Sequence, residues 1–367
     1  MSLINDQLQH EVYIQRFATE LLKSKLFPSL KEADDAVRAL LGEYDEIKSA
    51  AQVRKIEKLV NAIVSDTVAV AWQESTKELE GLAVYEADYY ANLVGGYADL
   101  VLEHPSARNI ADYMRSALMV LGEGERVKVG AWADFVQQNT DGLATQYNNL
   151  VKAGYARGAS VGQIRRSIQM YNQGLAKQQV TALARTGAQH YANSAREAMA
   201  LDNADIIKKR YFLSVLDNRT TIGCRALHGK TWDIDDDKYV RLPRHVNCRS
   251  SYLYLLEGQD KPEGRQVAIG SGKDYPKDAD KKPTYKGRKS KDIFDIERVN
   301  AGTTADSWLR GQSEAFIIDS LGPTRAKLFI AGEPLERMAD AFGNPLTIEQ
   351  IRQRDAEAFK RAGIEGG

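Results

Sequence analysis

Cysteine is nearly absent from this chain, with two residues among 367, and histidine is scarce at five. So few thiols exclude the disulfide framework of a small secreted domain and leave metal binding, a single bridge or plain thiols. Net charge is missing too. Fifty basic residues meet fifty acidic ones, so no global field draws the whole molecule to nucleic acid or to an anionic membrane, and any such attraction must be local. No run approaches the roughly 20 apolar residues that span a bilayer, and the opening MSLINDQLQH has neither the basic start nor the apolar run of a signal peptide. A protein made in the cytoplasm, with no membrane partner, is expected. The length suits two or three domains, each burying its own core.

What is present is concentrated. Both cysteines share one 25-residue window with two of the histidines, as Cys224, His228, His245 and Cys248. Thiolate and neutral imidazole are the usual ligands of a four-coordinate structural zinc, and two close pairs flanking a short insertion are how small knuckles present them. A Cys224–Cys248 bridge would be unstable in a reducing cytoplasm unless the protein matures into a particle that meets oxidising conditions. A catalytic zinc would need an open position and a nearby general acid or base, and the window offers no dedicated one.

Along the chain, residues 1–154 read as helical. Ser29 and Glu32 form a capping box and Gly42 a stop. Val53, Ile56, Val60, Ile63, Thr67 and Val70 alternate spacings of three and four, one seam of a helix within a bundle. Tyr85, Tyr89 and Leu93 continue such a face and are expected in the core. Further helices are expected near 106–121, 132–152, 160–171 and 178–199. The segment 155–257 then turns β-rich, with KRYFLSVL (209–216) and YLYLL (252–256) as strands around the Cys/His pairs. Residues 258–304 read as a flexible linker. Between Arg265 and Lys291 nine basic residues stand against three acidic ones, so Lys281, Lys282, Lys286, Arg288 and Lys289 are candidate contacts to DNA or to an acidic surface. Helical pattern resumes over 305–367, with Thr347 and Gln350 capping the final helix. The expected class is mainly α with a small β-rich Cys/His module, an extended helical N-terminal part, a flexible linker and a helical C-terminal tail.

Other chemistry fails on its own requirements. Gly229, Lys230 and Thr231 end a phosphate loop whose first glycine would fall on Cys224. Asp233, Asp235 and Asp237 begin a calcium loop, but Lys238 stands where the turn glycine belongs and Arg244 where the bidentate glutamate belongs, so DIDDD reads as a solvated turn. His10, His104 and His190 stand alone and read as surface or satisfied core residues.

Three separated motifs now carry a resemblance. Asp217, Arg219 and Thr220 form D-x-R-T. Cys224, Leu227, Gly229 and Lys230 form C-x-x-L-x-G-K. His245, Asn247, Cys248 and Arg249 form H-x-N-C-R. In this order and spacing they resemble the phage head morphogenesis family of Mu F-like and SPP1-like minor head proteins, strongly over 155–256. DSWLRGQSEAFIIDSLGPTRAKLF (306–329), with Asp306, Trp308, Gly322, Thr324 and Arg325, is similar to a segment that follows the module in relatives. Two departures stand out. Thr221 occupies a position that is often cysteine in relatives, so either His228 completes a set of Cys224, His228, His245 and Cys248, or the site has lost its metal. The usual RTE of the long helix is RTG here, at Arg185, Thr186 and Gly187.

The resemblance implies a non-enzymatic minor head protein of a tailed phage, resident in the virion at the portal vertex, with portal, capsid or scaffold proteins as partners and a role in assembly and in DNA packaging or ejection. It also implies structural roles for Asp217, Arg219, Thr220, Gly229, Lys230, Asn247 and Arg249: Asp217 and Arg219 holding the turn as an ion pair or cap, Arg249 anchoring a carboxylate. Rival readings are a virion-carried effector, a nuclease or ADP-ribosyltransferase, and a zinc-dependent DNA-binding module.

Overall fold

The computed structural model describes residues 2–122, 127–278, 281–282 and 293–364. Helix α1 (Leu3–Leu21) passes through a π-helical turn (Leu22–Leu26) into α2 (Phe27–Gly42). The helix therefore does not begin at Ser29, whose hydroxyl donates to the Leu26 carbonyl (2.9 Å) within a continuous rod. The π turn sits just ahead of Pro28, which has no N–H to give to the ladder. Helix α3 (Ala50–Val64) runs in the same way through a π turn (Ser65–Ala69) into α4 (Val70–Ala98). That turn breaks the sequence-derived seam. Val53, Ile56, Val60 and Val64 are buried, and beyond them the extra residue rotates the face so that Val68 and Trp72 take the core and Val70 is left 43% exposed.

Helix α5 (Ala107–Ser116) ends before the expected residue 121 and gives way to a short hairpin, β1 (Met119–Leu121) with β2 (Lys128–Gly130). Helices α6 (Trp132–Ala156) and α7 (Val161–Tyr171) follow, α7 opened by the expected Ser160–Gln163 capping box. The bundle closes around α8 (Lys177–Asp202), in which every residue from Thr186 to Ala200 is buried. A helix covered on all sides needs small residues where neighbours cross and partners for its polar groups. At Gly187 a Cβ would strike the Trp132 ring. This explains RTG: the indole of α6 occupies the space a side chain would fill.

Strand β3 (Ile207–Leu213) is the centre of a three-stranded antiparallel sheet, with β4 (Thr231–Asp233) on one side and β5 (Ser251–Leu256) on the other. The short helix α9 (Ile222–Leu227) lies between β3 and β4. Both ends of the segment expected as a linker are structured. Strands β6 (Arg265–Ser271) and β7 (Phe294–Asn300) pair antiparallel, and the Ile269 amide donates to the Leu216 carbonyl (2.8 Å), tying the hairpin to the module. Gln266, Ala268 and Ile293 are buried there, so alternation of small and branched residues outweighs the polar composition of the stretch. Lys281 and Lys282 are exposed, and Lys281 pairs with Asp278 (3.4 Å). Lys286, Arg288 and Lys289 lie outside the described residues.

The C-terminal part is helical as expected: α10 (Ala305–Arg310), α11 (Glu314–Leu321), α12 (Pro323–Ile330), a 3-10 turn (Leu335–Met338), α13 (Ile348–Arg354) and α14 (Ala356–Arg361). Thr347 and Gln350 form the capping box that opens α13. Trp308, Phe316, Phe329 and Phe359 give this part its own core, and it seats on the module rather than extending as a tail. The buried Arg225 of α9 donates to the Ser320 carbonyl (2.8 Å) and to the Asp217 carbonyl (2.8 Å). A Cβ on Gly223 would collide with the Gly343 carbonyl, so the two parts meet there at backbone distance.

Candidate metal centre

Two turns bring three of the four sequence-selected ligands together. Thr221 caps α9, its hydroxyl accepting from the Cys224 amide, and this fixes Cys224 in the first turn of the helix. On the other side the Cys248 amide donates to the His245 carbonyl (3.1 Å), while Asn247 takes a left-handed φ of 59°. Asparagine tolerates that conformation better than most side chains, and it turns His245 and Cys248 to the same side.

The ligand atoms of Cys224, His245 and Cys248 all lie within 4.8 Å of one another. The sulfurs are 4.0 Å apart and Cys224 Sγ is 3.3 Å from His245 Nε2. Tetrahedral zinc with bonds of about 2.3 Å to sulfur and about 2.0 Å to nitrogen would hold two sulfurs about 3.8 Å apart and a sulfur and a nitrogen about 3.5 Å apart. The spacing fits the ion. His245 Nδ1 lies 3.0 Å from the Val246 carbonyl, which orients the ring and leaves Nε2 toward the sulfurs, the outer contact common in metal-bound histidines. Thr221 Oγ1 stands 3.2 Å from the same nitrogen.

Charge in the cluster is shared. A hydrogen bond from the Cys248 thiol holds the Cys224 thiol well below its usual range against the opposing effect of burial, with His245 adding to it. Cys248 is raised correspondingly by that same bond and by burial. Burial disfavours the His245 cation, but the Cys224 sulfur outweighs it and raises the imidazole. A thiolate beside an imidazolium is a pair that a divalent cation can replace, with release of protons.

His228 does not join this cluster. It is buried, and the Ser214 amide, which can only donate, points at Nδ1 (3.1 Å), so the proton sits on Nε2 and is given to the Thr303 carbonyl (3.2 Å). Both ring nitrogens are spent on backbone, and the ring pins β3 to the segment that follows β7. Burial lowers its pKa to about 4.

The remaining signature residues form a brace beside the sulfurs. Arg249 donates both terminal nitrogens to the Asp217 carboxylate (2.7 and 2.9 Å), which also accepts from the amides of Arg219 (3.0 Å) and Thr220 (2.9 Å) and from the Thr220 hydroxyl (2.9 Å). Burial alone would raise the Asp217 carboxyl, but Arg249 and Thr220 hold it below its usual range. Asp217 therefore pairs with Arg249. Arg219 contributes its backbone amide to the turn, and its side chain is exposed. Gly229, at φ 90°, and Lys230 make the tight turn into β4, with Gly229 N donating to the Phe212 carbonyl (2.9 Å). The Asn247 amide donates to Thr186 Oγ1 on α8 (3.0 Å).

Sequence reasoning passed over Arg225, which sits inside the C-x-x-L motif. It also passed over the buried cluster of Glu11, Glu86 and Arg196, whose members lie 110 and 185 positions apart in pairing. No local pattern announces such contacts.

Fold and site together define a mainly helical protein built round a small β-rich module with a Cys/His cluster. Residues 145–253 match the family model of Phage Mu protein F like protein, in agreement with the resemblance carried by the three motifs. No curated protein and no solved structure matches the chain. No helix among the described residues is long and apolar enough to cross a membrane.

Proposed function

We propose that the protein is a minor head protein of a tailed phage, placed at the portal vertex and acting in head assembly and in packaging or ejection of DNA. The observation that carries this reading is the Phage Mu protein F like match over 145–253, which contains every residue of the brace and of the Cys/His cluster. In this reading 155–257 is the head morphogenesis module, 1–154 is a helical partner-binding region, and 305–367 is a docked C-terminal unit. The same match favours a structural role over an enzymatic one. Local chemistry is in keeping with that preference: Cys224, whose sulfur lies 3.3 Å from His245 Nε2, is 1% exposed, and a nucleophile must be reached by its substrate.

Zinc on Cys224, His245 and Cys248 would then serve as a staple. Held there, the ion would tie α9 to the turn before β5 and contribute directly to folding. Pulldown with a purified portal oligomer tests the main reading, and capture that persists at high salt without DNA is expected. Absence of capture by the portal, with salt-sensitive retention on duplex DNA instead, would favour the DNA-binding alternative. Elemental analysis should find about one zinc per chain, lost in Cys248→Ser; a metal-free wild type sinks the staple.

A further inference from the structure

The side of the bundle formed by α1 and α4 carries tyrosines the core does not use. Tyr85, Tyr89 and Tyr97 recur at spacings of four and eight on one face of α4, opposite His10 and Tyr13 of α1. The sequence reading placed Tyr85 and Tyr89 in the core. Instead, Tyr13, Tyr85 and Tyr97 are 41%, 45% and 43% exposed. The His10 ring stacks on Tyr89 at 3.8 Å between centroids and on Tyr13 at 5.2 Å, and Tyr13 lies 5.4 Å from Tyr85. The row bridges α1 and α4, yet Tyr13, Tyr85 and Tyr97 each keep more than 40% of their surface in water. Exposed aromatic clusters of this kind are features of interaction surfaces.

Charge around the row selects the partner. His10 Nε2 pairs with the buried Glu86 (2.5 Å), and the Tyr97 hydroxyl donates to Asp6. Asp88, on the same helix, has a side chain 65% exposed, beside His104. The phenols register this field: burial first, then Glu86 among its neighbours, raises Tyr13, Tyr85 and Tyr89, while Tyr97 is raised to about 12 chiefly by its bond to Asp6. The cation beneath the row, Arg196, is occupied by Glu11 and Glu86, and the exposed Arg16 stands one turn beyond Tyr13. Ring faces carry negative potential and attract guanidinium and ammonium groups. Carboxylates beside them strengthen that preference and repel phosphate.

We infer that the α1–α4 tyrosine row is a docking surface for a cationic segment of another protein, one that lays arginine or lysine side chains over the rings. A fluorescein-labelled nona-arginine peptide serves as the probe, read by fluorescence anisotropy at low and high salt. Wild type should bind it, and Tyr13→Ser/Tyr85→Ser should weaken binding about tenfold. Asp6→Asn should weaken it less, and the remote exposed Tyr155→Ser should leave it unchanged. Equal binding by wild type and the double variant overturns the inference. So does oligothymidylate binding that the double variant loses, which would make the row a nucleic-acid platform, or a dimer in sedimentation that it abolishes, which would make the occupant a second copy. Should the double variant misfold, nitration of wild type by tetranitromethane decides: the peptide should protect Tyr13 and Tyr85, and unchanged nitration refutes the docking surface.

Discussion

At the scale of single residues, this protein separates histidines that sequence alone presents as equals. His245 faces two sulfurs, whereas His228 is spent on the Ser214 amide and the Thr303 carbonyl. His190 is buried in α8 with Nε2 meeting no hydrogen-bond partner among the described residues. Burial lowers both His190 and His228 to about 4 from 6.5. Because these folded-state values lie below the unfolded one, the unfolded chain binds more protons between about pH 6.5 and pH 4, so stability falls as the pH drops through that window. Each residue would account for a loss of the order of 3 kcal/mol. Urea denaturation at pH 7 and pH 4.5 should show that loss reduced in His190→Leu. An unchanged pH dependence would show that burial does not hold His190 neutral.

At the scale of elements, α8 is the helix to probe, since it is enclosed from Thr186 to Ala200. Its alanines and Gly187 keep neighbouring axes close, and the Trp132 indole rests where a Gly187 side chain would be. Gly187→Ala raises helix propensity by about 1 kcal/mol, yet it should destabilise the protein by about 1–3 kcal/mol because the indole must move. Thermal melting resolves the sign. The π turns at 22–26 and 65–69 teach a related lesson. Periodicity identified the helices, but the inserted residue at 65–69 moved Val68 and Trp72 inward and Val70 outward. A wheel drawn on constant pitch cannot contain that shift.

At the scale of the whole molecule, distant segments are joined by buried charge. Arg196 of α8 bonds to Glu11 of α1 (2.5 Å) and Glu86 of α4 (2.7 Å), with Arg196 1% exposed and Glu86 fully enclosed. Removing the cation strands two carboxylates in a low-dielectric interior, so Arg196→Ala should cost about 3–5 kcal/mol. Chemical denaturation should record it as a lower midpoint. Adding Glu11→Gln and Glu86→Gln to Arg196→Ala should restore part of that loss by removing the stranded charges; no recovery in this triple variant would point to lost packing instead. The C-terminal unit is attached by other means, through Arg225 to Ser320 and the close approach of Gly223 to Gly343.

The sequence by itself determined the mainly helical class, the Ser160 and Thr347 helix starts, the strands β3 and β5, and the motif set that matches Phage Mu protein F like protein. These depend on local signals: caps, periodicity, and residue types at short spacing. Tertiary structure decided which histidine faces the thiols, which arginine holds Asp217, how the ends of the 258–304 segment pair as strands, and which tyrosines meet water. Each of those outcomes depends on groups far apart in the chain being brought within bonding distance, and their energy comes from burial that no local window of residues can report.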